Sequence, residues 1–393
     1  MSALPMAYVP FVNSSSDAQI AKSLYADATC YRLQVQRVEK LRKVLPPNAR
    51  LWVDAGFDAF PAPNPESEWA GFHSSFAGYQ LFADPEFLQN PIWNDVYAYV
   101  SDVMAAAVAS KPNWLSVPQL IHVDGVSRNR INKMLAKAFR QWADKANFQG
   151  VAVLPAVFSN QRQLVNKVPR DKKLAIVKSC YLAAGATGVW AVDHTLQDQL
   201  GTSNFDTERF PSIVKLHEGL GKLPKLHVHL GGPYWGLNLV LWAKGLITNP
   251  AIALGTGYAY YPAGGHLNKA TRRVALSPLR RWTVDTPDFR KWLAEVVGLL
   301  SPSTSAYSEF AALQKELPKM DVSADGHKEQ VARFYRTWFM QFAKLSPNGR
   351  SIALYQDLSN AYMLGQSLPD IPSEVGGARK PSAVARQLML CTL

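Results

Sequence analysis

Short apolar runs alternate with longer amphipathic stretches along most of the chain, the pattern of strands and helices taking turns. The spacing predicts strands over residues 8–12, 50–53, 151–158, 188–192, 226–230 and 251–254, with an extended run over 114–123. Helices are predicted over 18–44, 91–109, 171–184, 210–219 and 237–244. The clearest helix has Ser127 as N-cap. Behind it Ile131, Met134, Leu135, Ala138, Phe139 and Trp142 recur at helical spacing, with basic residues on the other face.

Strands joined through helices pair in parallel, because each helix carries the chain back to the end where the strands begin. About six to eight such units within roughly the first 290 residues predict a closed TIM-like (β/α)8 barrel in preference to an open doubly wound sheet. No GxGxxG or GxxxxGK[ST] motif follows a strand, which weakens nucleotide-binding alternatives. After Ser301-Pro302-Ser303 the pattern changes to helices over 308–317 and 329–344 and a Pro/Gly-containing tail over 369–380. The expected division is a catalytic barrel over 1–290 and a C-terminal helical extension with a flexible tail over 291–393.

Composition narrows the class. With 48% hydrophobic residues and a net charge of +12, the chain is globular and basic. Lys244 interrupts the best apolar run, residues 236–247, and residues 1–17 lack the basic head and apolar core of a secretory signal. Cys30, Cys180 and Cys391 lie far apart and form no CxxC pair, which argues against a disulfide framework or a zinc ribbon and fits a reducing, cytoplasmic setting. The charge is uneven: residues 51–110 carry eight acidic side chains and no Lys or Arg, whereas residues 125–178 carry a balance of +10. Arg128, Lys133, Lys137 and Arg140, with Arg272 and Arg273 in a second basic stretch, are the candidate phosphate contacts.

In a barrel the reacting groups stand at the C-terminal ends of strands, so Asp54, Asp124, Asp193 and His229, each closing an apolar run, are the candidates for chemistry. An Asp there also serves as a helix N-cap, and three at equivalent positions make that plain role less sufficient.

The segment Leu51-Trp-Val-Asp54-Ala-Gly-Phe57-Asp-Ala-Phe60 resembles the stretch carrying the general acid/base aspartate of tRNA-guanine transglycosylases, shortened by one glycine and with Asp58 in place of a glutamine. Residues 115–123 followed by Asp124 and a helix containing Arg140-Gln-Trp142 resemble the family's base-recognising strand. Leu223-Pro-Lys-Leu-His-Val-His-Leu-Gly231-Gly232-Pro resembles its proline-led strand and glycine turn. Gly188-Val-Trp-Ala-Val-Asp193-His194 has the spacing of its nucleophile strand, one or two barrel units early. Two departures stand out: the family's zinc-binding cysteine cluster is absent, and residues 246–257, where the nucleophile is expected, contain no Asp.

The resemblance implies exchange of guanine in nucleic acid for a free 7-deazaguanine base, without cofactor or catalytic metal. Asp193 would attack C1′, Asp54 would shuttle the proton, and Asp124, Phe57, Gly231 and Gly232 would hold the base. Loss of the zinc subdomain fits the branch acting on DNA somewhat better than tRNA. Two alternatives remain. His227-Val-His229 is an HxH motif of the kind that supplies metal ligands in barrel hydrolases, and a barrel without chemistry could bind nucleic acid as such.

Overall fold

The computed structural model describes residues 7–393 apart from 62–63, 124, 159–166, 194–208, 255–259, 261–271 and 375. Eight strands close in sequence order into a parallel barrel: β1 (Val9–Val12), β2 (Tyr31–Gln34), β3 (Leu51–Asp54), β4 (Trp114–Ser116), β5 (Val151–Phe158), β6 (Gly188–Asp193), β7 (Val228–Gly231) and β8 (Asn249–Ala253). β1 meets β8 with Val9 opposite Ala251 and Phe11 opposite Ala253, so no edge strand remains. This is the (β/α)8 barrel with a C-terminal helical extension that the alternation predicts.

The stretch over 18–44 is not one helix. It divides into a helix (Ser15–Leu24), the strand β2 and a short helix (Val38–Arg42). Arg32 in the middle of β2 is buried inside the barrel, and a charged residue in so short a run hides the strand from any reading of hydrophobic period. Nor is Ser127 an N-cap. The helix Val126–Lys145 starts from Gly125, whose φ of 139° only glycine adopts readily, and no side chain among the described residues caps it. The extended run over 114–123 pairs regularly only in β4, with one further bridge between His122 and Phe158. Between them the buried Asn132 side chain bonds both backbone groups of Leu120, at 2.8 and 3.1 Å, in place of a sheet ladder.

Phe11, Trp52 and Trp190, from β1, β3 and β6, meet edge to face with ring centroids 5.4 to 5.6 Å apart. Rings from strands across the barrel can meet only in its interior, where these three form a packed floor. Their polar edges are satisfied: Trp52 Nε1 donates to Ser116 Oγ at 2.8 Å and Trp190 Nε1 to the Gly232 carbonyl at 2.6 Å.

After the barrel come an antiparallel hairpin, β9 (Arg273–Leu276) and β10 (Arg281–Val284), and helices Pro287–Leu299, Ser305–Asp321, Gly326–Met340, Pro347–Gln366 and Ala383–Thr392. The hairpin packs with Phe289, Trp292, Leu293 and Phe310 in a core of its own. Tyr335, Trp338, Phe339 and Leu358 instead join the core of the barrel, where Trp242 stacks on Phe339 at 4.3 Å. The last helix, unforeseen beyond the Pro/Gly-containing tail, packs Val384, Leu388 and Cys391 into that same core. No helix among the described residues is long and apolar enough to cross a membrane.

Candidate active site

The register of β2 on β3 sets Arg32 beside Trp52 and Gln34 beside Asp54. Strand alternation puts Trp52 and Asp54 on one face, and Trp52 faces the interior, so Asp54 projects inward at the C-terminal end of β3. Arg32 Nε donates to Asp54 Oδ2 at 3.0 Å and Arg32 Nη2 donates to the same oxygen. Gly56 N–H donates to Asp54 Oδ1 at 3.0 Å. Both carboxylate oxygens therefore serve as acceptors. The guanidinium carbon of Arg32 lies 4.5 Å from the ring centroid of Phe11, 5.0 Å from Tyr260 and 5.1 Å from Trp190, so the cation is held among ring faces.

A second carboxylate completes the cluster. Gly56, at a positive φ of 67°, turns the chain into the short 3-10 segment Phe57–Ala59 that carries Asp58 inward. Tyr260 Oη donates to Asp58 Oδ2, and Arg32 Nη2 reaches the same tyrosine oxygen at 3.4 Å. Asp54, Arg32, Tyr260 and Asp58 thus form one continuous buried chain of polar groups. Burial, reinforced by the negative charge of Asp54, pushes the Asp58 carboxyl up to about 7. The same burial and the neighbouring Asp58 raise the Tyr260 phenol well above its ordinary value. One site therefore contains an ion-paired carboxylate beside a carboxyl group able to keep its proton near neutrality.

The sequence reading located Asp54 but missed Arg32 and gave Asp58 no duty. The one available signal was the spacing of two acidic residues across a glycine turn, Asp54-Ala-Gly-Phe-Asp58. Asp193 closes β6 at the same end of the barrel, three strands from Asp54, and its backbone N–H donates to Tyr234 Oη at 2.6 Å. Trp190 points inward, so by alternation Asp193 follows the opposite face of β6. Asp124 lies outside the described residues.

The expected base-holding groups are differently employed. Phe57 is buried against Phe60, His73, Phe82 and Tyr99, with centroids 5.6 to 6.2 Å away, and presents no open face for stacking. A Cβ on Gly231 would press on Ile247, and one on Gly232, at a φ of +83°, would strike the Asn238 side chain. Gly232 therefore cannot carry a side chain at this turn, and Gly231 leaves room for Ile247. Lys133, Lys137 and Arg140 are exposed along the helix Val126–Lys145, and Arg128 in its first turn is half-buried. Arg140 pairs with Asp144 at 2.8 Å and Arg272 with Asp321 at 3.2 Å, while Arg273 stacks over Trp282.

The HxH motif does not sit at a strand's C-terminal end. His227 is exposed and precedes β7, whereas His229 is buried within it and shares a hydrogen bond of 3.0 Å with His217 Nδ1. Among the described residues, potential metal ligands gather elsewhere: Asp285, Asp321 and His327 bring ligand atoms within 4.8 Å of one another. Arg290 already donates to both oxygens of Asp285, at 2.9 and 2.6 Å, and of Asp321, at 2.7 and 2.8 Å. His327 Nε2 lies 2.9 Å from Asp285. A cation would have to displace that guanidinium.

No protein-family model and no curated protein matches the chain. The class rests on the molecule itself: a (β/α)8 barrel with buried charged groups gathered at the C-terminal end of its strands, where barrel enzymes carry their reacting groups.

Proposed function

We propose that this barrel is an enzyme that exchanges a base in nucleic acid, replacing guanine by a free 7-deazaguanine, with DNA ahead of tRNA as the polymer. The observation that carries the reading is the pair Asp54 and Asp58: two buried carboxyl groups at the end of β3 in different charge environments, one against Arg32 and one under Tyr260. Breaking a glycosidic bond needs a proton for the departing base and negative charge beside the oxocarbenium-like sugar. The two groups divide those duties.

In the forward step Asp193, the last residue of β6, turns from the outer face of its strand into the mouth, a carboxylate oxygen bonds to C1′ as the C1′–N9 bond breaks, and the electron pair and a proton from Asp58 leave with guanine. In the return step N9 of the incoming base gives its proton to Asp58, bonds to C1′ and releases Asp193. Asp54, whose oxygens already accept from Arg32 and Gly56, contributes fixed charge, so the proton duty implied for it by resemblance passes to Asp58. The exposed Lys133, Lys137 and Arg140 supply a phosphate-binding face.

The test is incorporation of labelled guanine or deazaguanine into DNA and into tRNA, with gel detection of a denaturation-resistant adduct. Exchange lost in Asp58→Asn and adduct lost in Asp193→Asn support the assignment. Wild-type exchange in both variants overturns it, and an inactive wild-type protein that still binds both polymers makes the barrel a binding protein.

One observation favours a second reading, metal-dependent hydrolysis: the convergence of Asp285, Asp321 and His327. Elemental analysis after equilibration with zinc distinguishes it. A stoichiometric metal lost in His327→Ala would support it, and no retained metal would exclude it.

A further inference from the structure

His122 lies just beyond β4, bridged to Phe158, which in turn pairs with Asp193, so it belongs to the barrel rim beside the proposed nucleophile. Its ring is completely buried, near enough to the Pro155 backbone to feel it, but neither ring nitrogen makes a well-formed hydrogen bond among the described residues. An imidazole so placed recovers little of its lost hydration, and leaving a buried polar group unsatisfied costs about 1–3 kcal/mol. Arg128 stands in the first turn of the helix Val126–Lys145, and its Nη1 is buried without a partner among the described residues. Lys173, buried on the helix Lys167–Ala184, adds a third basic group. The charges of Lys173 and Arg128 both bear on the His122 ring.

Orphaned donors gathered where positive charge is already concentrated are unfavourable in the empty protein and become favourable when an anion enters. We propose that His122 and Arg128, flanked by Lys173, form a binding site for a phosphate group, which on the base-exchange reading is a backbone phosphate next to the nucleotide under attack. Three features fit phosphate. Arginine offers a planar fork of donors, the first turn of a helix that no described side chain caps offers backbone N–H groups, and an imidazole protonates more readily once a negative charge lies against it. Burial together with the two neighbouring cations pushes the ring down to about 3, which keeps it neutral until the anion arrives.

Binding is read with inorganic phosphate, by calorimetry and by the 15N shifts of the His122 ring. It is read again with short single-stranded DNA in which one phosphodiester at a time is made an uncharged methylphosphonate. Saturable phosphate binding that shifts the ring, weakened about tenfold in Arg128→Gln and in His122→Phe, is expected. One methylphosphonate position should weaken the wild type and leave His122→Phe indifferent. Arg128 is half-buried at a helix start, so Arg128→Gln carries the test should the buried variant fail to fold.

Undiminished phosphate binding in both variants overturns the site. Histidine-dependent phosphate binding with no sensitive DNA linkage overturns its assignment to a nucleic-acid phosphate. The base-exchange reading falls separately: phosphate bound here by a protein that exchanges no base counts against that reading alone.

Discussion

Arg32 and Asp54 form a buried ion pair across β2 and β3, and Arg32 is the group through which Asp54 and Asp58 are electrostatically joined. Its guanidinium bonds one carboxylate directly and reaches the tyrosine that bonds the other. Such a pair adds little to stability compared with apolar residues of the same shape, and breaking it leaves an uncompensated charge. Arg32→Met should therefore cost about 3–5 kcal/mol, and Arg32→Met with Asp54→Leu much less than the single change. Denaturant unfolding of both variants checks this, and equal destabilisation by the two would contradict it.

Asp58 gives the protein a pH signature. Its folded-state carboxyl titrates at about 7, above the ordinary carboxylate range, because burial and Asp54 disfavour the anion. A group raised in this way contributes stability at acid pH and loses it as pH climbs through the folded value. The wild type should lose stability relative to Asp58→Asn between about pH 4 and about pH 7. Paired denaturation curves across that range measure it. Parallel pH profiles would show that Asp58 is not the proton-holding group.

Four buried histidines act in the opposite direction. Burial lowers His73 and His229 to about 4, His122 to about 3, and His217 well below its usual value. Depressed groups contribute stability above the unfolded value and lose it as pH falls. Acid should thus destabilise the protein from about pH 6.5 downward, and His217→Phe should blunt the loss by removing a buried ring whose charged form burial and His229 both disfavour. An unchanged acid slope in that variant would show that the histidine pair does not titrate on unfolding.

Tyr260→Phe removes the hydrogen bond to Asp58 while keeping the ring beside Arg32. If Asp58 transfers the proton, base exchange in this variant should fall about tenfold or more, and its pH optimum should move. Unaltered rate and optimum would leave Tyr260 only a packing role.

The exposed basic face has a measurable reach. From Arg128 to Arg140 the helix rises about 18 Å, leading away from the barrel mouth toward the strands' N-terminal side. Replacing Lys133, Lys137 and Arg140 by Ser should therefore weaken binding of long DNA and reduce the logarithmic salt slope by about 0.9 for each contact removed. Very short oligonucleotides should be unaffected. A slope unchanged with long DNA would remove this face from the interface.

Most of the barrel's strands and several of its helices were legible in the chain because those strands are short, largely apolar runs and those helices show an apolar stripe, whereas the helices Pro287–Leu299 and Pro347–Gln366 were not. Asp54 and Asp193 were legible as residues that end such runs. β2 was not, because Arg32 is a core residue only where Asp54 is present to receive it, and that partner stands 22 residues away. Likewise Asp58 reads as an ordinary turn residue until closure of the barrel brings Tyr260, distant by 202 residues, against its carboxylate. Local pattern determines which face of an element is apolar, and from that follows the barrel. Which charged groups share one dehydrated interior depends on the register of neighbouring strands and on loops meeting over the mouth, so the tertiary structure alone decided the partners of Asp54 and the proton affinity of Asp58.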